Sequence, residues 1–282
     1  MKTLKMLLVM SLSFALIACS PQQAKLSSQT SEEQPLKDTE QLIDIASELP
    51  TCSYSLGFDV WEPYQYVNVD GEVSGVDIQI VSGVLNEMGC SVSYVQGTWV
   101  SLLEDLRMGN VDILIGASKT PAREAFAFFS EPYRTEQFSL YIRNDDKKRA
   151  AYADIDEFIA NGSKIGVVGD YYYGPQITIL QDSKATANNF VSGIMGELNI
   201  ARLLDMDIDG FLEDSFVGAS MLRRKGLDNY IVEHGFTVTT GDIYVMFSQS
   251  SVPEADVEKF NSALAEYTQM DSYKQTLHKY SR

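Results

Sequence analysis

Arg123 is the residue whose type and position do most for recognition chemistry. It follows Gly116-Ala-Ser-Lys-Thr120, just past the apolar run Val111 to Ile115, and the carboxyl ends of strands are where open α/β sheets hold ligands. A planar guanidinium grips a carboxylate through two parallel hydrogen bonds. Backbone N–H groups around Gly116 and Ser118 would complete a nest for the anion. Taken alone, Arg123 reads more readily as a surface arginine paired with Glu124 or Glu131. Asp214 closes a second strand-like run, Asp209 to Leu212, where its carboxylate can accept a ligand ammonium, cap the following helix, or do both. In Gly169-Asp-Tyr-Tyr-Tyr-Gly174, with Tyr172 at its centre and Glu213 elsewhere at the same mouth, acidic and aromatic groups suit a cationic or aromatic side chain. Ordinary packing is the other reading of the tyrosines. A metal site is not expected, because His234 and His278 are the sole histidines and neither has ligand spacing with a cysteine.

These residues need elements to hold them. Ser53 to Phe58 alternates as a strand, Val76 to Met88 places Val81, Val84, Leu85 and Met88 on one helical face, and Ser91 to Val95 is a second strand. A helix from about Thr98 to Gly109 and the strand Val111 to Ile115 continue an alternation that implies a parallel sheet. The strand Phe138 to Ile142 runs into the polar stretch Arg143 to Arg149, read as a crossing to a second unit. That unit alternates strand Lys164 to Val168, helix Gly174 to Leu180, strand Asn189 to Val191, helix Gly193 to Leu204, strand Asp209 to Leu212 and helix Gly218 to Lys225. Asp242 to Phe247 leads back, and two helices close the chain, Pro253 fitting the first turn of the former. The expected division is residues 50–142 with 238–282 as lobe one and 143–237 as lobe two.

Lys2 and Lys5 precede an apolar run, Met6 to Ala18, too short to span a bilayer as a stable helix; it reads as a signal peptide over 1–18. Leu16-Ile17-Ala18-Cys19 resembles the lipobox of bacterial lipoproteins, which implies lipidation of Cys19. Residues 19–49 then form a polar tether that cannot bury enough surface to order itself. Ser20, rather than Asp, leaves the membrane leaflet open. With Cys19 assigned to lipid, Cys52 and Cys90 remain in an oxidising compartment, as a disulfide or as two buried thiols. The net charge of −17 disfavours nucleic acid and favours solubility.

From Trp61 onward the motif order resembles the family 3 extracellular solute-binding proteins, the polar amino-acid receptors of ABC importers. The likeness rests on Trp61-Glu-Pro-Tyr-Gln-Tyr66, Gly75-Val-Asp-Ile78, Gly109-Asn-Val-Asp-Ile113, Thr120-Pro-Ala-Arg123, Phe129-Ser-Glu-Pro-Tyr133, Asp209-Gly-Phe-Leu-Glu-Asp214 and the terminal Tyr273 to Tyr280. Each is weak alone; seven in the family's order are specific. The resemblance implies an α/β, two-lobed fold of the type II periplasmic-binding class with the ligand between the lobes. It implies carboxylate binding at Arg123, Ser118 and Gly116, an amino-group acceptor at Asp214, and stacking rings at Trp61 and Trp99, with Phe58 placed on the same wall. A monomer with no cofactor and an ABC permease as partner is expected. Where many relatives carry a short run of small hydroxyl-bearing residues, this chain has the tyrosine run between Gly169 and Gly174, which opens the question of ligand identity. A sensor lipoprotein, a dehydratase on the same scaffold and the binding half of a lytic enzyme are the alternatives; for the second, Glu213 and His234 form no convincing acid–base constellation.

Overall fold

The computed structural model describes residues 50–280. The expected signal peptide, Cys19 and the tether over 19–49 lie outside the described residues. The first part of the chain runs β1 (Cys52–Phe58), β2 (Tyr66–Val67), β3 (Val73–Ser74), α1 (Val76–Glu87), β4 (Cys90–Gln96), α2 (Trp99–Met108), β5 (Ile113–Ser118), α3 (Pro121–Glu124), β6 (Ala127–Phe129) and β7 (Arg134–Arg143). Next come α4 (Ile155–Ala160), β8 (Ile165–Val168), α5 (Pro175–Asp182), β9 (Phe190–Gly193), α6 (Gly196–Leu204), β10 (Gly210–Asp214) and α7 (Ser215–Lys225). The long strand β11 (Ile231–Ser248) leads to α8 (Glu254–Tyr267) and α9 (Asp271–Tyr280).

Nine strands form one sheet in the order β4-β1-β5-β11-β7-β10-β8-β9, with β6 also paired to β11. Its two ends are parallel: β1 pairs with β4 and β5, and β8 pairs with β9 and β10. The middle is antiparallel, because β11 pairs with β5 through its last residues and with β7 through most of its length, and β7 pairs with β10. Two strands therefore carry the sheet from one parallel α/β set to the other. Parallel β1 and β4 align Cys52 with Cys90, and the two form a disulfide.

Caps define the helices that flank the site. Thr98 and Ser101 make a reciprocal capping box at the start of α2, and Gly109 ends that helix in the left-handed region. Gly75 opens α1 at φ 130°, and a Cβ there would run into the Tyr64 carbonyl, so only glycine fits. Val81, Val84 and Leu85 of α1 are buried, and α1 packs on α8, whose Val257, Phe260 and Leu264 form its apolar face. Side chains of this size contribute roughly 1.5–3 kcal/mol each when fully buried.

Several expected boundaries shift. The strand expected at Val111 to Ile115 runs from Ile113 to Ser118, because Ala117 and Ser118 pair with Tyr244 and Ile243 of β11. Gly116 and Ser118 thus sit within a strand end rather than in a loop. The strand expected over Asp242 to Phe247 begins eleven residues earlier, at Ile231. Its first part alternates half-buried and exposed side chains around two register shifts, which weakens the apolar pattern that marks a strand in sequence. Pro253 is the residue before α8 rather than in its first turn.

Candidate functional site

The strand ends bring Asp59, Trp61, Gln65, Trp99, Gly116, Ser118, Arg123, Glu136, Phe138, Tyr171 and Tyr172 around one cavity of about 30 Å³. Of the residues expected from sequence, Trp61, Trp99, Gly116, Ser118, Arg123 and Tyr172 line it. Phe58 and Asp214 do not. Phe58 is buried against Tyr94 at the edge of its ring, inside the β1–β4 side of the core.

Arg123 is buried, and its fork is engaged. Nη1 donates to the Ser118 carbonyl at 2.8 Å and Nη2 to the Asp170 carbonyl at 2.7 Å. Its guanidinium stands 5.1 Å from the Trp99 ring centroid, within cation–π range. Burial lowers its pKa to about 10, so it remains a cation near neutral pH. The expected anion nest is partly filled, since the Gly116 N–H donates to the Tyr133 hydroxyl at 2.9 Å.

The tyrosine loop supplies the centre of the site. Asp170 adopts φ 59°, a left-handed conformation that aspartate tolerates better than most residues. Its carbonyl accepts from both Arg123 and the Trp99 indole N–H. Tyr171 follows with its ring edge-on to Trp61 and to Trp99, each centroid 6.1 Å away. The sequence points to the whole tyrosine run at the cleft mouth and singles out Tyr172, while the structure turns Tyr171 onto the tryptophans as well; nothing in the run says which ring makes those contacts.

Beneath the cavity lies a chain of charges. Arg134 of β7 grips buried Asp77 of α1 with Nε–Oδ1 and Nη2–Oδ2 distances of 3.0 Å, and its Nη1 lies 3.4 Å from Glu136 Oε1. The guanidinium also stands 4.0 Å from the Tyr64 ring centroid. Glu136 accepts from the Thr240 hydroxyl at 3.1 Å; burial, opposed by Arg134, pushes its pKa up to about 7. Glu136 had no sequence signal, because one carboxylate in a strand that joins the two parallel sets of one sheet looks like any solvent-facing residue.

Asp214 sits one step away. Its Oδ1 accepts the backbone N–H groups of Phe216 and Val217, capping α7, and its Oδ2 accepts from the Tyr64 hydroxyl at 3.4 Å. Burial pushes its pKa up to about 6. The capping role anticipated for it is present, and its remaining contact is to Tyr64 rather than to the cavity. Among the described residues no group of three or more His, Cys, Asp or Glu is arranged to hold a metal ion.

This geometry sits on a chain whose residues 55–282 match the model of the bacterial extracellular solute-binding proteins, family 3. The chain belongs to that family. Among solved structures, an ancestral arginine-binding protein bound to arginine superposes with a TM-score of 0.71 at 16% identity, covering 82% of this chain and 98% of the other. A periplasmic binding protein of Salmonella typhimurium with high arginine specificity gives 0.67 at 21% identity, covering 82% and 100%. A histidine kinase sensor domain similar to periplasmic binding proteins gives 0.69 at 18%, covering 81% and 96%. The fold of this family 3 protein is therefore the two-lobed α/β periplasmic-binding fold. The family is extracellular, and among the described residues no helix is long and apolar enough to cross a membrane.

Proposed function

We propose that this family 3 protein is an exported receptor that captures a small amino-acid-like zwitterion between two lobes, residues 50–142 with 238–282 and residues 143–237, and delivers it to an ABC permease. Lipid at Cys19 would hold it at a membrane surface. The observation that carries the reading is a buried guanidinium and a buried carboxylate, Arg123 and Glu136, lining one cavity walled by Trp61, Trp99 and Tyr171. A ligand carboxylate takes the place of the Asp170 carbonyl on Arg123. Its ammonium meets Glu136, with Asp214 behind Tyr64 adding negative potential. The rings enclose the carbon skeleton.

Such a molecule touches both lobes, so binding favours the closed arrangement over the open one by the difference in contacts it makes. Charge-assisted hydrogen bonds contribute roughly 1.5–3 kcal/mol each, enough for micromolar affinity once ordering costs are subtracted. No bond-breaking step is proposed: in this reading Glu136 and Asp214 serve to bind a cation.

Calorimetry against the proteinogenic amino acids tests this. At least one is expected to bind, and Arg123→Ala is expected to weaken that ligand by about 10- to 100-fold, the equivalent of roughly one charge-assisted bond. Unchanged affinity in the folded variant contradicts the assignment. The likeness to a histidine kinase sensor domain supports a second reading, in which the captured ligand is reported to a membrane partner instead of imported. Uptake of the radiolabelled ligand by cells with and without this protein separates the two; undiminished uptake in its absence favours the sensor.

A further inference from the structure

Beside the inner cavity lies a larger recess of about 500 Å³, lined among others by Asp59, Trp61, Tyr171, Met195, Glu213 and Met221. It shares Asp59, Trp61 and Tyr171 with the inner cavity, so the two recesses adjoin across a common wall. Glu213 is its least solvated polar group, at 1% exposure. Oε1 accepts the Trp61 indole N–H and the Asp214 backbone N–H, both at 3.1 Å. Among the described residues no hydrogen bond reaches Oε2. That oxygen lies against Gly196 at the start of α6, so close that a Cβ at 196 would run into it.

We propose that Glu213 and this recess form a subsite for a cationic group on the ligand's side chain, an ammonium or a guanidinium. The inference rests on the amino-acid reading of the same cleft and names the class of amino acid it takes. A carboxylate removed from water costs free energy unless a counter-charge meets it. Here the nearby cations are committed elsewhere: Arg224 pairs with Glu62 and lies by Glu197, and Lys225 pairs with Glu197. Burial, only partly offset by its bonds to Trp61 and Asp214, pushes the Glu213 pKa up to about 8. A ligand cation at Oε2 supplies the missing partner. The remaining walls also favour a cation, since the faces of Trp61 and Tyr171 carry negative potential and thioether sulfurs are polarizable. An anionic side chain would meet Asp59, Glu197 and Glu213 together. A neutral one would leave Oε2 desolvated with nothing in return.

Two probe pairs test the subsite by calorimetry: L-arginine with L-citrulline, and L-lysine with L-norleucine, each differing in the terminal charge. The wild-type protein is expected to bind the charged member of at least one pair more than about tenfold tighter, and Glu213→Gln is expected to shrink that ratio below about threefold with the neutral member little changed. Glutamine keeps an acceptor for Trp61 and Asp214. If Glu213→Gln does not fold, Gly196→Ala displaces Oε2 by its added methyl and is expected to give the same loss of discrimination. Equal binding of both members, or a variant that retains the preference, overturns the subsite and leaves amino-acid capture standing. A variant that weakens both members equally also overturns it, because Glu213 is then only structural. Failure of the folded wild-type protein to bind any amino acid overturns both readings.

Discussion

At the scale of residues, the site is a balance between buried charges of opposite sign. Asp77 and Arg134 form a bidentate pair in which both partners are nearly removed from solvent; breaking such a pair strands one charge, so the two are expected to persist together. Glu136, Glu213 and Asp214 lack partners of that quality, and burial raises their pKa values to about 7, about 8 and about 6. Each binds a proton more readily folded than unfolded. Their contribution to stability is therefore full below the unfolded carboxylate range near pH 4 and is lost as pH rises through about 6 to 8. Asp146 runs the other way: burial opposes the shift, but Arg149 and Arg143 outweigh it and lower the pKa, so its contribution disappears only on strong acidification. The melting temperature is predicted to fall between about pH 5 and about pH 8, by about 2–4 °C for each kcal/mol lost, and Glu136→Gln is predicted to flatten that fall. A melting temperature that is flat or rises over this range in the wild-type protein contradicts the charge balance. Arg123 was legible as a guanidinium following a strand-like run, though alone it reads as a surface arginine; the roles of Ser118, Trp61 and Trp99 came from the family's motif order. Glu136 was not legible, and Tyr171 only as one of its run, since the first sits in the strand that joins the two parallel sets and the second is singled out from its neighbours only by the left-handed turn at Asp170.

Elements explain why those positions converge. Parallel strands β1 and β5 end on the same side of the sheet, so Asp59 and Trp61 after one and Ser118 and Arg123 at and after the other meet at a common edge. The alternation of strand and helix was readable because helices such as α1 and α8 carry a 3.6-residue apolar face and others end at glycine, as α2 does at Gly109 and α7 at Gly226. The long β11 was only half readable, because most of its first part faces solvent on one side and breaks register twice. The short β2, β3 and β6 gave no periodic signal at all. The Cys52–Cys90 bridge ties the two strands at one edge of the sheet across 38 residues of sequence. A loop of that length is worth about 3–4 kcal/mol of unfolded-state entropy. The double variant Cys52→Ser, Cys90→Ser is predicted to lose about that much in chemical denaturation, with ligand affinity little changed because neither cysteine lines the cavity. A large loss of affinity with unchanged stability would place the bridge in recognition rather than in the scaffold.

For the whole molecule, the Asp170 carbonyl and the Tyr171 ring, which the proposed division puts in the second lobe, reach the wall formed by Arg123 and the two tryptophans. The Asp170 carbonyl occupies the Arg123 fork, so on the proposed reading the tyrosine loop withdraws from it as a ligand carboxylate arrives. The two-lobed fold followed from motif order across the chain; the loop that fills its cleft depends on a single backbone turn, which no motif specifies. The protein carries its own reporter of capture, because it has two tryptophans and both line the cavity. Titration of the intrinsic tryptophan emission with amino acids is the most direct test of the central claim. A saturable change with at least one of them, abolished or shifted to much higher concentration in Arg123→Ala, is the result predicted. An emission spectrum that no amino acid alters, in protein shown to be folded by its melting transition, would contradict it.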